Sequence, residues 1–241
     1  MKKVIIVLFV LYAFVSCKKD TSNSSNTNSG TPSYIYPTSA TSYYGTLTIT
    51  KSEQINFPPY SNLGTNYFCN AFFSSSPQTV NNYTTSVSMD SVLFNNVPLT
   101  FDTNFIQYYS NSPHINGSLF TWHVAGKNGI HSFTFSNNSV PVYTNYNLLP
   151  DTLDHTKALT LPIHITNLDT ILVSLGDRHS AINQTLLPGS TSVTFPLSAM
   201  SQMSDTGLVI ISGNKSNVQS VYNKAMNFNF KYEFQKQVYI K

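Results

Sequence analysis

Met226, Phe228, Phe230, Tyr232 and Phe234 alternate with Asn227, Asn229, Lys231 and Glu233. Successive side chains of an extended chain point to opposite faces, so this stretch reads as a strand with one apolar and one polar side. Shorter segments repeat the pattern. Leu47 and Ile49 alternate with Thr46, Thr48 and Thr50; Leu159, Leu161, Ile163 and Ile165 alternate with Thr160, Pro162, His164 and Thr166. Val193, Phe195 and Leu197 do the same with Thr194 and Pro196. These are strands with one buried face. Residues 207–212 form a continuous apolar run instead, which predicts a central strand covered on both sides. Pro162 and Pro196 fall on polar faces and imply edges or bulges, since proline donates nothing to a ladder.

Turn chemistry supports the same reading. Asn95-Asn96 separates Val92-Leu93-Phe94 from Val97-Pro98-Leu99, and Lys127-Asn128-Gly129 separates residues 122–124 from 130–133. Both predict hairpins, because Asn and Gly accept the left-handed backbone of a primed turn. Asn167-Leu168-Asp169 joins predicted strands 158–166 and 170–175. The one helical stretch is Leu197 to Met203, with Leu197, Met200 and Met203 on one side. With no long helix between strands, doubly wound folds are disfavoured.

The fold expected is all-β. About 100 residues make one immunoglobulin-like sandwich, and residues 34–241 are about twice that. We expect two immunoglobulin-like β-sandwich modules, 34–137 and 138–241, with one larger sandwich as the alternative. The C-terminal module offers strands near 140–144, 158–166, 170–175, 182–187, 191–197, 207–213 and 225–240. The helical turn before 207–213 is similar to the crossover many immunoglobulin-like domains place between their sheets.

The N-terminus reads differently. Met1-Lys2-Lys3 is basic, Val4 to Val15 is unbroken apolar chain, and Ser16-Cys17-Lys18-Lys19-Asp20 follows. As a helix the apolar run is about 18 Å long, too short for a hydrocarbon core of about 30 Å. It is read as a signal peptide, 1–16. Residues 17–33 carry Ser, Asn and Thr and no large apolar side chain, so they are expected to be a disordered tether. Its root-mean-square reach is about 20–25 Å.

A small residue followed by Cys at the end of such a run resembles a bacterial lipoprotein signal. Val15 and Ser16 fit that pattern; Phe14 stands where an aliphatic residue is usual. Cys17-Lys18-Lys19-Asp20 before a Ser/Asn tract resembles the start of Bacteroidota-type envelope lipoproteins. The resemblance covers about the first thirty residues. It implies cleavage before Cys17, lipid attachment there (diacylglycerol thioether and palmitate), anchoring in the outer membrane and exposure at the cell surface.

Composition limits the function classes. Of 13 Lys and Arg, Lys2 and Lys3 leave with the signal peptide, so 11 remain against 10 acidic residues. With no basic block beyond Lys18-Lys19, nucleic acid is not an expected partner. Charged residues are 10% of the chain, against roughly 25% in ordinary soluble domains; solubility rests on Ser, Thr, Asn and Gln. With Cys17 acylated, Cys69 is the one thiol left, and its aromatic strand-like setting suits a buried small apolar group.

Candidate chemistry is sparse. His123 and His131 flank a hairpin, but two imidazoles make an incomplete zinc site; His164 points away from an aliphatic face. Asp151, Asp154 and His155 form one cluster and Asp177, Arg178 and His179 another. Neither has calcium-loop spacing, and both suit turns. Ser180 follows Asp177 and His179 without a nucleophile elbow. Glu53 and Glu233 are the two glutamates; nothing marks a carboxylate pair of the kind glycosidases need. Tyr34, Tyr36, Tyr60, Tyr143 and Tyr146 lie outside the alternating strands. They are either a contact surface or loop packing. No catalytic, cofactor or metal site is assigned.

The expectation is a lipid-anchored, non-catalytic envelope protein that binds or assembles at the cell surface, its partner a glycan or a protein. The alternatives are a glycan-capture lipoprotein, resembling in layout those of sugar-uptake systems, and an exported hydrolase. A structural or adhesin subunit would instead be marked by an unpaired edge strand.

Overall fold

The computed structural model describes residues 42–55, 64–78, 85–111, 113, 115 and 119–241. The signal peptide, Cys17, the tether, Tyr34, Tyr36 and Tyr60 lie outside the described residues. The chain from Ala40 to Lys241 is one compact unit. Among the described residues no helix is long and apolar enough to cross a membrane.

The first half contributes β1 (Tyr43–Ile55), β2 (Gly64–Gln78), β3 (Ser91–Phe94), β4 (Val97–Pro98), β5 (Thr100–Asp102), β6 (Gln107–Ser110), β7 (Phe120–Ala125) and β8 (Phe133–Asn137). Then follow β9 (Val142–Tyr143), β10 (Thr152–Leu153), β11 (Leu159–Pro162), β12 (Ile165–Thr166), β13 (Thr170–Gly176), β14 (Ala181–Leu186) and β15 (Ser192–Phe195). A short helix α1 (Leu197–Met200) leads to β16 (Asp205–Val221) and β17 (Lys224–Ile240). The fold is an all-β sandwich.

A nine-stranded sheet is its spine, in the order β14-β13-β16-β17-β1-β2-β6-β5, with β10 also paired to β17. Smaller sheets complete the structure: β4-β3-β7-β8, the ribbon β11-β15 and the ribbon β12-β9. The 17 residues each of β16 and β17 span about 56 Å at roughly 3.3 Å per residue, long enough to back two cores side by side. Met226, Phe228 and Phe230 of β17 pack with Leu47, Ile49, Phe94, Phe120 and Trp122 in one core. Tyr232, Phe234, Val238 and Ile240 pack with Leu161, Ile163, Val193, Phe195 and Met200 in the other. The boundary expected near 137 falls between strands of the two cores, but β17 belongs to both.

β1 runs parallel to β17, from Gly45↔Met226 to Ile55↔Lys236. No local signal announces such a pairing, because parallel partners need a long connection. The β16–β17 turn lies outside the hairpins predicted from the sequence as well. Tyr222 and Asn223 take left-handed backbone, φ 48° and 64°, as do Asn95 and Asn96 at the predicted β3–β4 hairpin, φ 50° and 65°. The predicted strand 207–213 extends to Val221. Its coverage on both faces is not observed: Val209 and Ile211 are buried, whereas Leu208 and Ile210 are half-buried, because the two core clusters among the described residues both lie on the Val209 and Ile211 side of the strand. Predicted strand 158–166 is interrupted after Pro162, where the chain leaves β15 for β9. The helix is shorter than expected, but α1 does carry the chain from the β11-β15 ribbon to the large sheet, and Met200 and Met203 seal the core beneath it.

Candidate functional site

Parity along β1 sends Leu47, Ile49, Lys51, Glu53 and Ile55 to the inner face. Lys51 and Glu53 therefore enter the interior where one core gives way to the other. Glu53 is 5% exposed. One carboxylate oxygen lies 2.5 Å from Lys51 Nζ and the other accepts the Tyr232 hydroxyl at 2.6 Å. Lys51 Nζ is also 5.6 Å from the centre of the Tyr232 ring. Burial raises the ionisation of both Tyr232 and Tyr67 above the ordinary phenol range, reinforced at Tyr232 by its hydrogen bond to Glu53 and at Tyr67 by the Glu53 charge. Lys236, 6% exposed, donates to the Leu149 carbonyl and pairs with Asp151 at 2.8 Å. Asp151 also holds Tyr239 through its backbone carbonyl, 2.8 Å from the Tyr239 N–H. Both oxygens of Glu53 are engaged, and the cluster joins strands rather than opening onto a cleft.

The other sequence candidates do not converge. His123 Nδ1 is 2.9 Å from Thr134 Oγ1 across β7–β8, and His131 stacks on Tyr222 with centroids 4.3 Å apart. His164 is exposed between β11 and β12. Among the described residues no group of three His, Cys, Asp or Glu could hold a metal ion. Cys69 is buried, and burial pushes its thiol far above the ordinary range, so it stays protonated at neutral pH and is a poor nucleophile. Tyr143 and Tyr146 are packing residues: Tyr143 is buried, its ring centroid 5.1 Å from that of Phe234 and its hydroxyl donating to the Pro162 carbonyl at 3.1 Å. Tyr146 leans on the same Phe234.

Asp154 accepts the backbone N–H and hydroxyl of Thr156 at 2.9 and 2.6 Å and pairs with Lys157 at 2.8 Å. These partners, the Lys157 hydrogen bond first, hold its carboxyl well below the usual range. Asp177 closes the β13–β14 turn, accepting N–H groups of His179 and Ser180 at 2.8 and 2.7 Å. Its second oxygen takes the Ser204 N–H at 2.9 Å, which ties this turn to the entry of β16. Partial burial works to raise its pKa, but these hydrogen bonds outweigh it and hold the value at about 2. A carboxylate depressed in the folded state stabilises above its unfolded pKa of about 3.9 and loses that effect as pH falls through the folded value. Asp177→Ala is expected to cost about 1 kcal/mol at pH 6, since the turn is open to solvent. Thermal melts should show the gap closing between pH 4 and pH 2; an equal gap at pH 6 and pH 2 would contradict the latch.

The outer face of the large sheet is the polar counterpart, half-exposed along most of its length and buried at Thr48 and Phe72. Thr46, Thr48, Thr50, Ser52 and Gln54 of β1 lie opposite Asn227, Asn229, Lys231, Glu233 and Gln235 of β17. Ser216 donates to Asn227 at 2.7 Å, and Gln235 donates to Glu233. The register carries Phe68 opposite Thr50 and Tyr109 opposite Asn70 on the same side. This is a hydrogen-bonding surface on which Lys231 and Glu233 balance in charge, with Phe68 and Tyr109 half-buried on it and Phe72, opposite Thr46, buried.

Sequence reasoning named Glu53 but left out its partners Lys51 and Tyr232, and left out the buried Lys236 that pairs with Asp151. The signal was present: the parity of Leu47 and Ile49 places Lys51 and Glu53 inward, and that of Phe234 and Val238 does the same for Lys236. Compared with known proteins, the chain matches no family model and no curated protein.

Proposed function

We propose that the chain is a lipid-anchored, non-catalytic protein of the cell envelope, attached to the outer membrane through Cys17 and presenting its sandwich at the cell surface for binding or assembly. The observation that supports this reading best is the division of its polar groups. The buried charges Glu53 and Lys236 are spent on interior contacts, while the outer face of β1 and β17 is mostly Thr, Asn, Ser and Gln, with Lys231 and Glu233 as its two opposite charges. Such a face suits recognition by hydrogen bonds more than acid–base chemistry. The anchor is tested by growing the native host with alkyne-tagged palmitate and fractionating its envelope. Labelled protein in the outer membrane, and neither label nor membrane association for Cys17→Ala, is the expected result. Unlabelled wild-type protein in the soluble periplasmic fraction would overturn the reading.

Glycan capture is the second reading, favoured by Phe68 and Tyr109 on that polar face, since aromatic faces stack on sugar rings. Affinity electrophoresis through a panel of polysaccharides should then show retardation that Tyr109→Ala weakens; migration indifferent to every polysaccharide would remove it.

A further inference from the structure

The two edges of the nine-stranded sheet are built differently. At one end β5 is three residues long. It stops at Asp102, whose carboxylate accepts the N–H groups of Asn104 and Phe105 at 2.8 and 3.3 Å. A short edge ending in a carboxylate resists further pairing. At the other end β14 runs for six residues and pairs with β13 from Gly176↔Ala181 to Ile171↔Leu186. β13 is its one ladder partner among the described residues. Between Arg178 and Asp205 the chain contains no Asp, Glu, Lys or Arg, so β14 carries no charge of its own to guard this edge. Leu187, just beyond it, is 60% exposed, and Leu172 on the neighbouring strand is exposed as well.

The order of side chains on β14 names an occupant. Gln184 has Asn183 and Thr185 on either side, then Ile182 and Leu186, then Ala181 and Leu187. The sequence is a chemical palindrome about Gln184. Antiparallel pairing with an identical strand would set Ile182 against Leu186 twice, on the inner side where both already lean on a core. Asn183 would meet Thr185 on the outer side, and Gln184 would meet itself. Residues that face each other across an antiparallel pair share a side of the sheet, and every one of these pairs satisfies that parity. No charge is duplicated across the axis.

We propose that β14 is a homotypic docking edge: it pairs antiparallel with β14 of a second copy about a two-fold axis through Gln184, joining two nine-stranded sheets into one. An interface of one strand pair and its flanking leucines sits at the small end of specific interfaces, below about 1,200 Å². It therefore belongs to copies held close together, as anchored copies in a membrane plane are. The inference supplies a partner for the assembly role proposed above and rests on that role only for its purpose. A monomeric protein would leave the anchor standing, and a failed anchor would leave the edge chemistry unchanged.

Cysteine crosslinking of the full chain in host membranes tests it. The axis brings the two Gln184 Cα atoms to about 4.5–5.5 Å, within disulfide reach. Thr185 faces Asn183 instead, and its own copy lies beyond the limit of about 7 Å. Under mild oxidation Gln184→Cys should yield a disulfide-linked dimer. Thr185→Cys, the exposed Val218→Cys on the distant hairpin, and the wild-type chain should yield little. Adding Asn183→Lys and Thr185→Lys should cut the Gln184→Cys dimer severalfold by like-charge opposition, with melting temperature and circular dichroism confirming the fold. Equal crosslinking at positions 184 and 218 would show random collision, and a Gln184→Cys adduct with another protein would show a different partner. Either result, or no adduct at all, overturns the proposal.

Discussion

Phe234→Ala is expected to lower the temperature at which Trp122 leaves its buried site by about 10 °C, although the two residues belong to different cores. Phe234 is fully buried against Tyr143 and Tyr146, and truncating such a ring costs about 3–5 kcal/mol. For a chain of this size each kcal/mol moves the midpoint by about 2–4 °C. The effect reaches the other core because β17 cannot leave one alone. Its residues Met226, Phe228 and Phe230 pack in the Trp122 core four to eight positions before Phe234. In addition, β1 follows β17 in register from Gly45 to Ile55. Trp122 is the one tryptophan in the chain, so its fluorescence reports that core without ambiguity. Melts followed by fluorescence and by far-ultraviolet circular dichroism should coincide and shift together. A Trp122 transition that stayed in place while the dichroism split in two would mean that the halves unfold independently.

Glu53→Ala is expected to destabilise by about 3 kcal/mol, measured by denaturant titration. The substitution leaves Lys51 without its anion and the Tyr232 hydroxyl without its acceptor, both inside the sandwich. Breaking one side of a buried ion pair costs about 3–5 kcal/mol; Lys51 can bend partly toward solvent, which places the loss at the lower end. Replacing the whole group should cost much less. Lys51→Met with Glu53→Leu and Tyr232→Phe leaves no orphaned polar atom, and such apolar replacements are often neutral or stabilising. Recovery of most of the lost stability in the triple variant identifies the damage as uncompensated charge. A Glu53→Ala protein within about 0.5 kcal/mol of wild type, the scatter of ordinary surface changes, would sink the assignment.

Much of this architecture was legible where the signal is local. The alternation from Met226 to Phe234 fixed both the strand and the face that it buries, and Asn95-Asn96 located a hairpin because few residue pairs accept left-handed backbone. What escaped was non-local or masked by polarity. Residues 214–220 read as Asn-Lys-Ser-Asn-Val-Gln-Ser, with no apolar alternation. They form a strand because β17 supplies a continuous partner, Ser220↔Ala225 to Asn214↔Lys231. The parallel contact between β1 and β17 joins the two ends of the folded body, and no nearby turn records it. The ionic group at Glu53 was half legible, since parity placed the charges inside while nothing in the sequence named Tyr232 as the partner. Of the two readings open for the tyrosines outside the alternating runs, contact surface or loop packing, Tyr143 and Tyr146 take the second: their neighbours fold them against Phe234.

Protease shaving of intact cells of the native host tests whether the folded body stands at the cell surface. Immunoblotting would follow the folded region, with Cys17→Ala as the control and periplasmic markers as the measure of membrane integrity. Loss of the wild-type band while the periplasmic markers survive is the expected result, with protection of the unanchored variant inside the cell. Protection of the wild-type protein until the outer membrane is opened would contradict it.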